Sequence, residues 1–101
     1  MTVNYEYNND VTSSVELENF INEKLQKLFN NYEFLVRADV FFKIENSPDR
    51  NKGMITAIRL SAPGPRLYAE ASTKNFHKSA TQVIDALKHQ LNKRKNMMQT
   101  H

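Results

Sequence analysis

The sequence predicts an α+β domain in the order β-α-β-β-β-α, two helices packed on one face of a four-stranded sheet. Strand-like patterns mark four segments, while two others repeat apolar residues three and four apart. Every Pro and Gly falls between these segments, where it breaks rather than interrupts an element.

Thr2 to Tyr7 alternates and is stopped by the turn residues Asn8-Asn9-Asp10, giving the first strand. Ser13 and Glu16 form a capping box, which announces a helix start. From there Leu17, Phe20, Ile21, Leu25 and Leu28 make one apolar stripe to about Asn30. Phe34 to Glu45 is the second strand, with Val36, Ala38, Val40, Phe42 and Ile44 on its buried face and Arg37, Asp39, Phe41 and Lys43 on the other. A polar loop with Pro48 and Gly53 leads to a third strand over Met54 to Ala62. Pro63-Gly64-Pro65 then reverses the chain into a fourth strand, Arg66 to Ser72, with Leu67, Ala69 and Ala71 inward. The last three strands form an antiparallel meander, and periodicity leaves the partner of the first strand open.

The second helix starts near Lys74 or Asn75 and runs to about Met97, with Phe76, Ala80, Val83, Ile84, Leu87 and Leu91 as its stripe. That stripe is about 24 Å long at 1.5 Å per residue, the length of a strand of about seven or eight residues. Past Leu91 the stripe stops, so Asn92 to Asn96 should run beyond the sheet as a basic tip. Tyr5, Tyr7, Phe41 and Tyr68 are expected to reach the open sheet face, for cross-strand packing or as a stacking platform. The 101 residues fit a single domain, residues 1–96, followed by a short tail, 97–101.

The inventory narrows function by what it lacks. There is no cysteine, so disulfides, thiolate metal sites and cysteine nucleophiles are excluded. His77 and His89 are twelve residues apart on one helix, about 18 Å along its axis, too far to share a metal or a proton. His101 sits at the terminus, and Gly53 and Gly64 are the only glycines, so no Gly-rich phosphate loop exists. An acylphosphatase-like enzyme would carry an Arg in a Gly-rich loop after the first strand, where this chain has Asn8-Asn9-Asp10-Val11. No enzymatic role, cofactor, metal or small-molecule substrate is expected. The polar N-terminus and the absence of any long apolar run point to neither signal peptide nor membrane span, and so to a cytoplasmic protein.

The net charge of +3 hides a division within the chain. Residues 1–50 hold five Lys or Arg against nine Asp or Glu, and residues 51–101 hold nine against two. Lys74, Lys78, Lys88 and His89 lie opposite the stripe of the second helix, Lys93, Arg94 and Lys95 crowd its end, and Asp85 is its sole acid. A solvated helix face ordinarily mixes signs, because oppositely charged neighbours stabilise it. Pairing of cations with the helix C-terminus explains Lys93 to Lys95 but not Lys74 or Lys78 at the other end. Lys24 falls inside the stripe of the first helix with Lys27 beside it, where each is a snorkelling stem or a further part of the basic surface. The pattern favours a polyanionic partner. A protein-interaction module using the open sheet face, and a general double-stranded RNA binder, remain as alternatives.

Ala69-Glu70-Ala71-Ser72, Phe76-His77, and the run from Val83 to Lys95 resemble the closing segment of the ribosome hibernation-promoting factors, also called ribosome-associated inhibitors. Asp-x-Leu-x-x-Gln-Leu-x-Lys-x-Lys, matched from Asp85 to Lys95, is the most telling piece. Leu17, Phe20-Ile21 and Lys24-Leu25-Gln26-Lys27-Leu28 are similar as well. The resemblance implies a β-α-β-β-β-α fold and a monomer that binds small-subunit rRNA in the channel of messenger and transfer RNA, inhibiting translation by occlusion. It implies phosphate contacts from Lys24, Lys27, Lys78, Lys88, Lys93, Arg94 and Lys95. Asn75-Phe76-His77 departs from the family's usual Asp, Met or Leu, Tyr, so no role of that Tyr is carried over. Longer members append a second domain that pairs ribosomes, and this chain has no such segment, so ribosome dimerisation by the chain alone is not expected.

Overall fold

A computed structural model describes residues 2–8 and 10–99. Its elements are β1 (Thr2–Tyr7), α1 (Val15–Asn31), β2 (Arg37–Ile44), β3 (Met54–Ser61), β4 (Leu67–Thr73) and α2 (Phe76–Gln99). The strands form one sheet in the order β1-β2-β3-β4. β2, β3 and β4 make the antiparallel meander, and β1 pairs parallel to β2, a linkage that requires the crossover supplied by α1.

Ser14 rather than Ser13 caps α1. Its backbone is extended and its Oγ accepts the Leu17 N–H at 3.1 Å, so Glu16 lies in the first turn with Glu18, where carboxylates favour the helix dipole. Asn75 does the same for α2, its Oδ1 accepting the Lys78 N–H at 2.7 Å. α2 continues through Gln99, two residues beyond its expected end near Met97, so Met98, expected in the tail, is helical. Asn9 of the expected turn, and Thr100 and His101 of the expected tail, lie outside the described residues.

Both helices cover one face of the sheet. Ile21, Leu25, Val40, Ile58, Leu60, Leu87 and Leu91 are all fully buried in a single core. Thr56 on β3 and Ser79 on α2 hydrogen-bond through their hydroxyls at 2.8 Å, tying α2 to the sheet inside this apolar layer. Two expectations about facing are corrected. Parallel register sets Val3, Tyr5 and Tyr7 level with Ala38, Val40 and Phe42, on the helix side of the sheet and not on the open face. Tyr7 stacks on Phe42 at 5.0 Å, and the Tyr5 and Tyr7 hydroxyls donate to the Glu18 carbonyl and carboxylate. Burial, with the nearby Glu18 and Tyr7, pushes the Tyr5 phenol up to about 12. Val36 is 63% exposed, because the turn closed by Leu35 N–H on the Tyr32 carbonyl delivers Leu35 to the core in its place.

The open face holds Phe41 and Tyr68, as expected, over a hollow of about 410 Å³ floored by Ile55 and Ala57. Beside it Asp39, 5% exposed, pairs with Arg37 at 2.9 Å and Arg59 at 3.3 Å and accepts the Asn4 amide. Burial alone would raise the Asp39 pKa, but hydrogen bonds from Arg37 and Arg59, the Arg37 charge and the Asn4 amide together hold it below the ordinary 3.8. A depressed folded-state pKa contributes stability that is complete above the unfolded value and is lost as pH falls through the folded one. Acid titration of unfolding should therefore show a stability loss below pH 3.8 that Asp39→Asn removes. Superimposable acid limbs for the two proteins would contradict this.

Candidate nucleic-acid interface

α1 and α2 lie side by side and run in the same direction. Near their starts the rings of Phe20 and His77 are 4.8 Å apart, and near their ends the Tyr32 hydroxyl donates to Asn92 Oδ1. These contacts fix which sides face each other. At about 100° per residue, Lys24, Lys27 and Asn31 follow Phe20 along the margin of α1 toward α2. On α2, Thr81, Lys88, Asn92 and Lys95 follow His77 along the margin toward α1. A groove between the helices thus takes Lys24 and Lys27 from one wall and Lys88 and Lys95 from the other.

The remaining basic residues divide. Lys78, His89 and Lys93 are exposed on the outer face of α2, around Asp85, and Lys74 is exposed in the connection that precedes the helix. Arg94 is different. Its guanidinium donates to the Pro63 and Pro65 carbonyls at 2.9 and 2.8 Å, holding the β3–β4 turn against α2. Gly64 has φ +92 there, and a Cβ would come within 3.3 Å of that guanidinium. Arg94 is therefore a clamp, committed to two carbonyls, and with Asn92 it ties down the end of α2 that the sequence presents as a free basic tip.

No groove lysine is ion-paired among the described residues. Among the described residues the ion pairs are those of Asp39 with Arg37 and Arg59, across the sheet from both helices. Glu18 is engaged by Tyr7. Lys24 Nζ sits 5.0 Å from the Phe20 ring and Lys95 Nζ 5.8 Å from the Tyr32 ring, so two of the four groove lysines are steered by aromatic faces rather than by carboxylates. The half-buried Lys24 snorkels from within the stripe to reach this position. The sequence had singled out every groove lysine, and Phe20 as part of the α1 stripe, but not the contacts of Phe20 with His77 and of Tyr32 with Asn92 that align the helices. Tyr32, four residues past Leu28, continues the α1 stripe and could have been found that way. No group of three or more His, Asp or Glu among the described residues is placed to hold a metal, and no helix there is long and apolar enough to cross a membrane.

Residues 3–99 match the family described as sigma 54 modulation protein / S30EA ribosomal protein. The chain belongs to that family. The resemblance carried by β4 and the two helices is thus borne out. A ribosomal subunit interface protein from Coxiella burnetii superimposes with a TM-score of 0.81 at 21% identity, covering 95% of this chain and 99% of that one. The N-terminal domain of Thermus thermophilus Protein Y does so with a TM-score of 0.76 at 16% identity, covering 92% and 98%. At these identities the likeness is one of fold, and the β-α-β-β-β-α order is common to family and chain. No curated protein matches the sequence.

Proposed function

We propose that the chain associates with the ribosome and binds small-subunit rRNA in the channel used by messenger and transfer RNA, inhibiting translation by occupying that space. The observation that carries this reading is the cationic groove between α1 and α2, whose lysines make no ion pair among the described residues. Lys24, Lys27, Lys88 and Lys95 form its walls, and Lys74, Lys78, His89 and Lys93 extend the positive surface around α2. Family membership and the fold shared with a ribosomal subunit interface protein support the ribosome as the polyanion. Phosphate contacts of this kind position a protein without reading base sequence, which suits folded RNA recognised by shape. The basic helical layer and the mixed-charge sheet lie on opposite sides, so the molecule has one side suited to RNA.

Occlusion makes a specific demand on a binding experiment. Small subunits saturated with the chain should reject tRNA, and raising tRNA should displace the chain in return, with each ligand increasing the apparent dissociation constant of the other linearly. Simultaneous binding of both would contradict occlusion and leave only association.

A further inference from the structure

We infer that the C-terminal end of the inter-helical groove is a pocket for one unstacked nucleobase. This rests on the RNA-binding reading above and deepens it. The site is a hollow of about 380 Å³ lined by Asn31, Tyr32, Glu33, Phe34, Lys95 and Met98. It continues the groove, because Asn31 follows Lys24 and Lys27 on α1 and Lys95 follows Lys88 on α2.

Its chemistry differs from the rest of the groove in a way that selects the ligand. The Glu33 carboxylate shares the lining with Lys95, with no ion pair between them, and both parallel helices end nearby, where the helix dipole favours hydrogen-bond donors over anions. A phosphate is therefore less well served inside the hollow than beside the lysines upstream. What the pocket offers instead is π-surface with hydrogen-bonding edges. Tyr32 and Phe34 meet edge to face at 6.1 Å, and Lys95 Nζ approaches the Tyr32 ring. The Tyr32 ring is nearly buried and held by its hydroxyl on Asn92, while Phe34 is half-buried, so Phe34 supplies the accessible face. The Asn31 amide and Glu33 carboxylate make no side-chain hydrogen bond among the described residues, leaving both to read exocyclic amino and ring N–H groups. Single-stranded RNA is held in this manner, with phosphates on a basic track and bases on aromatic side chains.

The test uses the full chain and two oligoribonucleotides of equal length and charge, one carrying 2-aminopurine among ordinary bases and one abasic throughout. The base-bearing strand should bind about tenfold more tightly, with quenching of 2-aminopurine as it stacks. Phe34→Leu, which keeps apolar volume, should abolish that advantage and the quenching. It should leave abasic binding and the salt dependence unchanged, since no phosphate contact is lost. A thermal melt of the variant identifies any loss of fold, and Lys95→Met, which keeps the aromatic pair intact, should weaken both strands alike. Equal affinity for the two strands, or quenching indifferent to Phe34→Leu, overturns the pocket. If that happens while small subunits still bind, the ribosomal reading stands without it. If neither strand nor subunit binds, both readings fall.

Discussion

Charge reversal at three exposed lysines, Lys27→Glu, Lys88→Glu and Lys93→Glu together, should reduce affinity for small subunits by about a thousandfold or more at low salt. Each lysine that neutralises a phosphate contributes about one unit to the slope of log affinity against log salt, so the triple variant should also lose about three units of slope. None of the three side chains pairs with an acid or an aromatic ring among the described residues, so the fold should survive the change, and a thermal melt checks this. Arg94 supplies the contrast. Arg94→Ala releases the Pro63 and Pro65 carbonyls and should show itself mainly as lost stability. If Arg94→Ala reduces the salt slope as the lysine variants do, Arg94 touches phosphate after all.

The largest effect on stability should come from the layer that positions these lysines. Leu87 is fully buried between α2 and the sheet, and Leu87→Ala should cost about 2–5 kcal/mol through lost burial and the cavity left behind. That is a large share of the roughly 5–15 kcal/mol that stabilises a domain, and should lower the melting temperature by about 10 °C or more. Val36→Ala, in a residue the alternation of β2 assigns to the core, should change stability by less than about 0.5 kcal/mol, because the side chain is exposed. Denaturant unfolding of the two variants measures both. Comparable losses would mean that Val36 is buried in solution and that the turn before β2 is wrongly placed.

The contrast between those two residues illustrates how much of the fold can be read from periodicity. Stripes on α1 and α2 and the alternation in β2 to β4 report local burial, so element order, meander and helical layer were legible. Facing across strands is not local. Tyr5 and Tyr7 turn toward the helices because β1 runs parallel beside β2, a pairing no pattern within β1 encodes. Val36 leaves the core because a turn at Tyr32 and Leu35 shifts the entry to the strand.

The candidate interface divides along the same line. Lys24 and Lys27 stood out as basic residues on or beside an apolar stripe, Lys88 as a cation opposing one and Lys95 as one of those crowding a helix end, each a feature of a single helix. That they face one another depends on Phe20 meeting His77 and Tyr32 meeting Asn92 across the helices. Charge alone could not separate Arg94 from its lysine neighbours. Its commitment depends on a turn about thirty residues earlier, whose carbonyls are aimed at α2 by Gly64 in a positive-φ conformation.

Sedimentation of the intact chain with purified small subunits, repeated from 50 to 200 mM monovalent salt, addresses the cationic groove most directly. If about six phosphates are neutralised, affinity should fall on the order of a thousandfold across that range, along a straight line of log affinity against log salt. Affinity that stays level from one end of the series to the other would mean that the lysines between the two helices do not hold RNA.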